Sequence, residues 1–229
     1  MPKKTKQPKV SIIVVAYNGQ EFLPELLESL KKTTYPNYEI IGVDNDSTDD
    51  SIKIIEKNSP KIKIVKNKIN VGFAGGCNKG IESSNPDSKY VIILNQDMYV
   101  HPNWLSYLVN VAESDKKIAI VCYSRLFPKS DIIETLGNKN INKNLAKFKK
   151  IGTGHNLKEY LDKGLIEVDF CLGLIRKSVL NEVGLFDEKT FAMYEEVDLC
   201  RRIKDAGYKI VVNPKSKVWH FGSQSFKKT

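Results

Sequence analysis

Tyr90-Val91-Ile92-Ile93-Leu94-Asn95-Gln96-Asp97 is an apolar run that stops abruptly in two amides and a carboxylate. A strand with no polar residue on either face is what a parallel strand between two helix layers requires. In open α/β sheets ligands bind beyond the carboxyl ends of the strands. That places Asp97 where a hard cation or a phosphate group would sit. The competing reading is local, with Asn95 and Asp97 forming a turn ahead of the helix that Pro102 begins.

The same pattern recurs upstream. Residues 10–16 form a β-branched strand broken by Tyr17-Asn18-Gly19, and a helix follows with Phe22, Leu23, Leu26, Leu27 and Leu30 on one stripe. Residues 39–43 read as a second strand ending in Asp44-Asn45-Asp46-Ser47-Thr48-Asp49, ahead of a helix carrying Ile52 and Ile55 and capped within residues 47–50. Residues 62–65 make a third strand, and the Asn70 to Gly76 stretch opens a helix running to about Ser83. Strand alternating with helix predicts a doubly wound, mostly parallel sheet. Each strand ends in small, acidic or amide residues, so the site is assembled from several loops.

Beyond Asp97 the pattern is less regular. Helices are expected over 104–112, 177–183 and 196–206, the last closed by Gly207 as a left-handed cap. Strands are expected over 118–122, 166–170, 209–212 and 217–221. Residues 125–163, with an Asn/Lys-rich centre, read as loops and a short helix over the site. There is no internal repeat and no linker.

Composition narrows the function classes. The chain has 229 residues and a formal net charge of +9, enough for one α/β domain. The basic residues are spread along the chain without an aromatic-interleaved patch or zinc-finger spacing, which argues against a nucleic-acid site. Cys77, Cys122, Cys171 and Cys200 form no Cys-x-x-Cys pair, which fits small core residues in a reducing cytosol. Residues 1–9 are basic, polar and expected to be disordered. No stretch approaches the ~20 apolar residues of a membrane span. A cytoplasmic protein is expected, with the basic ends either holding it at the inner face of the plasma membrane or simply solvated.

Several groups are candidates for chemistry. Tyr17 and Asp44 would hold a nucleobase, or Asp44 caps a turn. The glycines of residues 70–80 permit close approach to a ligand, with Asn70 and Asn78 bonding a ribose or sugar, or they mark a tightly packed helix start. The segment has neither the Gly-x-Gly-x-x-Gly nor the Gly-Lys-Ser/Thr pattern. Glu195 and Glu196 stand at a helix N-terminus, where the dipole keeps carboxylates ionised, as a general base or as caps. His220 is structural unless the fold brings it to Asp97, since carboxylate plus imidazole suits Mn²⁺ and similar ions.

Taken together, Val10-Ser11-Ile12-Ile13-Val14-Val15-Ala16-Tyr17-Asn18, Val43-Asp44-Asn45-Asp46-Ser47-Thr48, Asn70-Val71-Gly72-Phe73-Ala74-Gly75-Gly76 and Leu94-Asn95-Gln96-Asp97 resemble the inverting family 2 glycosyltransferases of the GT-A fold, especially the rhamnosyltransferase-like branch. Gly184-Leu185-Phe186-Asp187, Glu195-Glu196-Val197-Asp198-Leu199-Cys200, Ala206-Gly207-Tyr208 and Trp219-His220 continue the resemblance. It implies one GT-A domain over 10–225, with a nucleotide-binding half over 10–100 and an acceptor-binding half over 101–225. It implies sugar transfer, with inversion, from a UDP- or dTDP-linked donor to a hydroxyl of a polysaccharide precursor, a lipid-linked glycan or a glycoconjugate.

By position, Ala16 and Tyr17 would line the base pocket and Asp44 would bond the base. Asn70, Gly72 and Asn78 would lie along ribose and diphosphate, and Asn95 and Gln96, beside Asp97, would also bind the donor. Asp97 would bind a divalent metal, Mn²⁺ or Mg²⁺, and His220 would complete its shell. Glu196 would be the general base, with Glu195 assisting or binding acceptor. Two departures stand out: Asn95 replaces the first acid of Asp-x-Asp, and Glu196 replaces the commoner aspartate. The rival class is a non-catalytic sugar-nucleotide-binding or scaffold protein on the same fold.

Overall fold

In the computed structural model, residues 7–58, 62–142, 147–190 and 194–222 are described. The basic termini at 1–6 and 223–229 and part of the Asn/Lys-rich segment lie outside them. The elements run β1 (Lys9–Ala16), α1 (Leu23–Lys31), β2 (Tyr38–Asp44), α2 (Ser51–Lys57), β3 (Ile62–Lys66), α3 (Gly72–Glu82) and β4 (Ser88–Asn95). Then follow β5 (Met98–Val100), α4 (Trp104–Ser114), β6 (Ile118–Leu126), β7 (Ile133–Thr135), β8 (Asn138–Asn142) and β9 (Lys147–Lys150). The chain continues with β10 (Ile166–Glu167), β11 (Leu174–Arg176), α5 (Lys177–Val183), α6 (Glu195–Asp205) and β12 (Lys209–His220).

The main sheet has the order β10-β12-β6-β11-β4-β1-β2-β3, with β5 on β12 and β7 on β6. Strands β3, β2, β1 and β4 are mutually parallel, and β6 is parallel to β12. The alternation of β1 divides the core. Ile12, Val14 and Ala16 join Leu26 of α1, Ile55 of α2 and Trp104 of α4 in one apolar cluster, while Ile13 and Val15 join Cys77 of α3, Val179 of α5 and Leu199 of α6 in the other. This is the mostly parallel central sheet flanked by helices expected from the sequence.

Packing explains the glycines of α3. A Cβ on Gly80 would lie 2.3 Å from Ile13 Cγ2, and one on Gly76 would lie 2.7 Å from Val15 Cγ1. These two glycines let α3 lie close on β1, and they face sheet side chains rather than a ligand.

Four expectations change. Among the described residues, 125–163 carry the end of β6, which pairs with β7, the β8–β9 hairpin and one 3₁₀ helix at Leu157–Tyr160. The strand expected over 166–170 is only Ile166–Glu167; beyond it, Phe170 is tied by a single bridge to Asn138. The two last strands are one, β12, with an irregularity between Asn213 and Lys217 where Pro214 interrupts the ladder. Finally, β11 is inserted antiparallel between β4 and β6. It is too short to show periodicity, and Gly173 before it is forced by the Val121 carbonyl, 2.3 Å from where a Cβ would be. Among the described residues no helix is long and apolar enough to cross a membrane.

Candidate active site

The parallel register assembles the site at the carboxyl ends of β1, β2 and β4. Ala16 lies opposite Asp44, and Val15 opposite Asn95. Ala16 is fully buried in the core, and its carbonyl accepts the Asn45 amide at 2.8 Å. Tyr17 next to it is 40% exposed and borders the open side. Asp44 is buried, and among the described residues its carboxylate accepts a single, long hydrogen bond, 3.4 Å from the Ser47 amide to Oδ1. It retains acceptor capacity for a ligand donor.

The amides around it hold the loops. Gln96 accepts from the Tyr17 amide through Oε1 at 2.8 Å and donates to the Tyr17 carbonyl through Nε2 at 3.0 Å. Its side chain imitates a strand neighbour and holds the Tyr17 backbone in place. The Asn45 amide donates to Asn70 Oδ1 at 3.2 Å and the Gly72 carbonyl at 2.8 Å, and Asn70 Oδ1 also accepts from the Gly72 amide at 2.9 Å. Gly72 has φ +76°, which only glycine adopts without strain. Asn78 is elsewhere: Nδ2 donates to the Phe186 carbonyl at 3.0 Å and Glu188 Oε1 at 2.9 Å, while Oδ1 accepts from the Phe186 amide at 3.1 Å. Both amide protons and the carbonyl are engaged, leaving no donor for a ribose.

Asp50 makes no side-chain cap on α2. Asp49 accepts instead, from the Ser51 amide at 2.9 Å and the Gln20 amide at 3.1 Å. Asn18, Asp46 and Tyr194, three of the four described non-glycine residues with positive φ, lie in loops bordering the site. Such backbone costs about 1–3 kcal/mol per residue and persists only where its surroundings fix it.

The fold brings His220 to Asp97. Strand β5 pairs antiparallel with β12, placing His220 opposite Met98, and the Phe221 amide donates to the Asp97 carbonyl at 2.9 Å. Trp219 stacks on Tyr99 with ring centres 5.0 Å apart, which anchors that end of β12. Asp97 and His220 are both buried, with Oδ2 and Nε2 3.4 Å apart. On the ring's other side Nδ1 lies 2.8 Å from Glu134 Oε2, and Arg125 Nε lies 3.1 Å from the same oxygen. Arg125 Nε and Glu134 are an ion pair by distance but lack hydrogen-bond alignment. Burial alone would lower the His220 pKa, yet its contacts with Asp97 and Glu134 outweigh that and raise it. Burial would raise Glu134, but His220 and Arg125 bring it below the usual carboxylate range.

At the amino end of α6, Glu195 is buried and Glu196 half-buried. Both face a cavity of about 140 Å³ that also meets Phe73, Asn95, Arg125 and Cys171, well above the ~10–15 Å³ that one water needs. Among the described residues Glu195 Oε2 has no hydrogen-bond partner. Burial, with the neighbouring Glu196 charge adding to it, raises the Glu195 pKa. Arg125 and Glu134 were not singled out from the sequence. The one available signal was an acid enclosed by Ile132, Ile133 and Leu136.

The side chains at this corner fit a share in holding a divalent cation. Among the described residues no group of three or more His, Cys, Asp and Glu side chains could hold a metal. One carboxylate and one imidazole converge at Asp97 and His220, a donor pair that suits Mn²⁺ and similar ions.

The model of the family described as "Glycosyl transferase family 2" matches residues 11–184. The chain is 34% identical over 114 residues to an uncharacterized glycosyltransferase of Haemophilus influenzae, covering 48% of this chain and 35% of the relative. It is 26% identical over 230 residues to the O-antigen biosynthesis protein RfbC of Myxococcus xanthus (95% and 18% covered). It is 24% identical over 213 residues to a poly-beta-1,6-N-acetyl-D-glucosamine synthase of Staphylococcus epidermidis (92% and 49% covered). The chain spans at most about half the length of these three relatives.

Among solved structures, GalNAc-T7 with UDP, GalNAc and Mn²⁺ superposes with a TM-score of 0.76 at 18% identity, covering 94% of this chain and 44% of that one. TarS of S. aureus gives 0.67 at 19%, covering 94% and 37%. These likenesses show the GT-A fold expected from the sequence. The strand-end acids, the α6 acid pair and the family match lead to one conclusion: the chain belongs to glycosyl transferase family 2.

Proposed function

We propose that the protein is an inverting glycosyltransferase, of the rhamnosyltransferase-like branch, moving a sugar from a UDP- or dTDP-linked donor to an acceptor hydroxyl. The acceptor is a polysaccharide precursor, a lipid-linked glycan or another glycoconjugate. The observation that carries the reading is one cavity bordered by Asn95 at the end of β4 and by Glu195 and Glu196 at the start of α6, with the Asp97–His220 pair beginning two residues after Asn95.

In this reading Tyr17 offers its ring face to the nucleobase, and Asp44 accepts from a base N–H. The Asn70–Gly72 turn lies along the ribose and diphosphate. Asp97 and His220 would hold a Mn²⁺ or Mg²⁺ ion, which when bound supplies positive charge to the leaving diphosphate. The Glu196 carboxylate takes the acceptor proton as the acceptor oxygen forms its bond to the anomeric carbon. The bond from that carbon to the diphosphate breaks on the opposite face, its electron pair leaving with the phosphate oxygen. Glu195, whose charge burial disfavours, orients the acceptor. A cytoplasmic position, held at an anionic membrane face by the net charge of +9, completes the reading.

The test is UDP or dTDP release from a panel of nucleoside-diphosphate sugars by wild type and Glu196→Gln. Turnover should fall by about 10²–10⁴-fold, the usual contribution of a general base, with nucleotide affinity kept. Wild-type turnover in the variant would remove Glu196 from that role. Nucleotide binding without any turnover by the wild type would favour a non-catalytic binding protein.

A further inference from the structure

We infer that Glu134 is a positioning residue for His220, holding the imidazole so that Nε2 faces Asp97. The inference rests on the reading of Asp97 and His220 as cation ligands.

Strand β7 is only Ile133–Thr135, and its pairing with β6 is irregular at Glu134. Arg125 pairs with Thr135 and the next residue, Leu126, with Ile133, so Glu134 is the extra residue of a bulge. A bulge re-aims a side chain, and such bulges concentrate beside active sites. Ile133 and Thr135 on either side are buried, while the Glu134 carboxylate is turned to His220 Nδ1 at 2.8 Å.

The chemistry of that contact fixes the ring. An ionised carboxylate only accepts, so Nδ1 carries a proton toward Glu134, while Nε2, 3.4 Å from Asp97 Oδ2, carries one of its own until a cation takes its place. Arg125 Nε lies 3.1 Å from the same Glu134 oxygen, so the carboxylate is held between a guanidinium and the imidazole. A carboxylate behind a ligating histidine sets its tautomer and raises its basicity, and losing it costs about 10–100-fold in metal affinity. The bulge therefore places a carboxylate behind the imidazole from a segment otherwise remote from the nucleotide-binding loops. If Glu134 served only to pair with Arg125, its removal would leave His220 and cation affinity untouched.

The experiment measures Mn²⁺ affinity by electron paramagnetic resonance for wild type, Glu134→Gln and Glu134→Ala, each with UDP and, separately, with dTDP, and with its melting temperature recorded. The His220 tautomer is read in parallel from imidazole ¹⁵N shifts. The expected result is a 10–100-fold loss of Mn²⁺ affinity in Glu134→Ala and mixed tautomers at His220. Glu134→Gln, which keeps an acceptor of the same shape, should retain the Nδ1–H tautomer with a smaller loss. Should Glu134→Ala not fold, the isosteric Gln variant decides by its affinity. Wild-type Mn²⁺ affinity in the folded variants would overturn the role of Glu134 and leave the ligand pair standing. Absence of Mn²⁺ binding in the wild type would overturn the ligand pair and the inference together.

Discussion

Replacing Asn78 by alanine removes three hydrogen bonds that tie α3 to a segment more than a hundred residues away in sequence. Their worth follows from what each loss leaves behind. Glu188 is exposed, so its carboxylate regains water and contributes little. Phe186 is only 4% exposed, so its amide and carbonyl are left buried without partners. Each unpaired group costs about 1–3 kcal/mol. Partial relaxation around the vacated space gives a total of about 3 kcal/mol, against roughly 5–15 kcal/mol for a whole domain. For a chain of this size about 1 kcal/mol moves Tm by roughly 2–4 °C, so the variant should melt about 6–12 °C below wild type.

The assay pairs thermal unfolding with calorimetric titration by UDP well below either Tm. UDP affinity should stay within about threefold of wild type, because no Asn78 donor is free for a ribose. A variant that melts like wild type but binds UDP tenfold more weakly would refute the reasoning. It would return Asn78 to the nucleotide.

Two further outcomes follow from packing and charge. Gly80→Ala should destabilise by about 1–2 kcal/mol in urea unfolding: overpacking against Ile13, 2.3 Å from the new Cβ, costs about 1–3 kcal/mol and outweighs a helix-propensity gain of at most about 1 kcal/mol. The raised Glu195 pKa gives a pH signature. Its contribution to stability is fully present below the unfolded-state value of about 4.3 and is lost as pH rises through the raised folded value. Glu195→Gln carries no charge at any pH, so its Tm relative to wild type should climb between pH 4 and pH 8. A pH-independent difference would contradict the assigned burial.

The first half of the fold was legible because its strands are apolar on both faces and its helices carry one clear stripe. Tyr90 to Leu94 gave β4 almost to its ends, and the acids at the ends of β2 and β4 marked the right edge of the sheet. The glycines of α3 showed closeness but not its partner, since Gly76 and Gly80 approach Val15 and Ile13 rather than a ligand. Asn78 and Gln96 were the right residue types at the right end, but an amide serves a backbone as readily as a sugar, and only distances separate the two. Strands β7 and β11, three residues each, are too short to carry a period. Glu134 was therefore hidden in them, and the pairing of β5 with β12 that brings His220 to Asp97 is a long-range contact with no local signature.

The most direct test of the central claim is calorimetric titration of wild type and Asp97→Ala with UDP and with dTDP, each with and without Mn²⁺. The account predicts that one of the two nucleotides binds wild type more tightly with Mn²⁺, and that Asp97→Ala removes the metal-dependent part. Nucleotide affinity indifferent to both Mn²⁺ and Asp97, in folded protein, would contradict it.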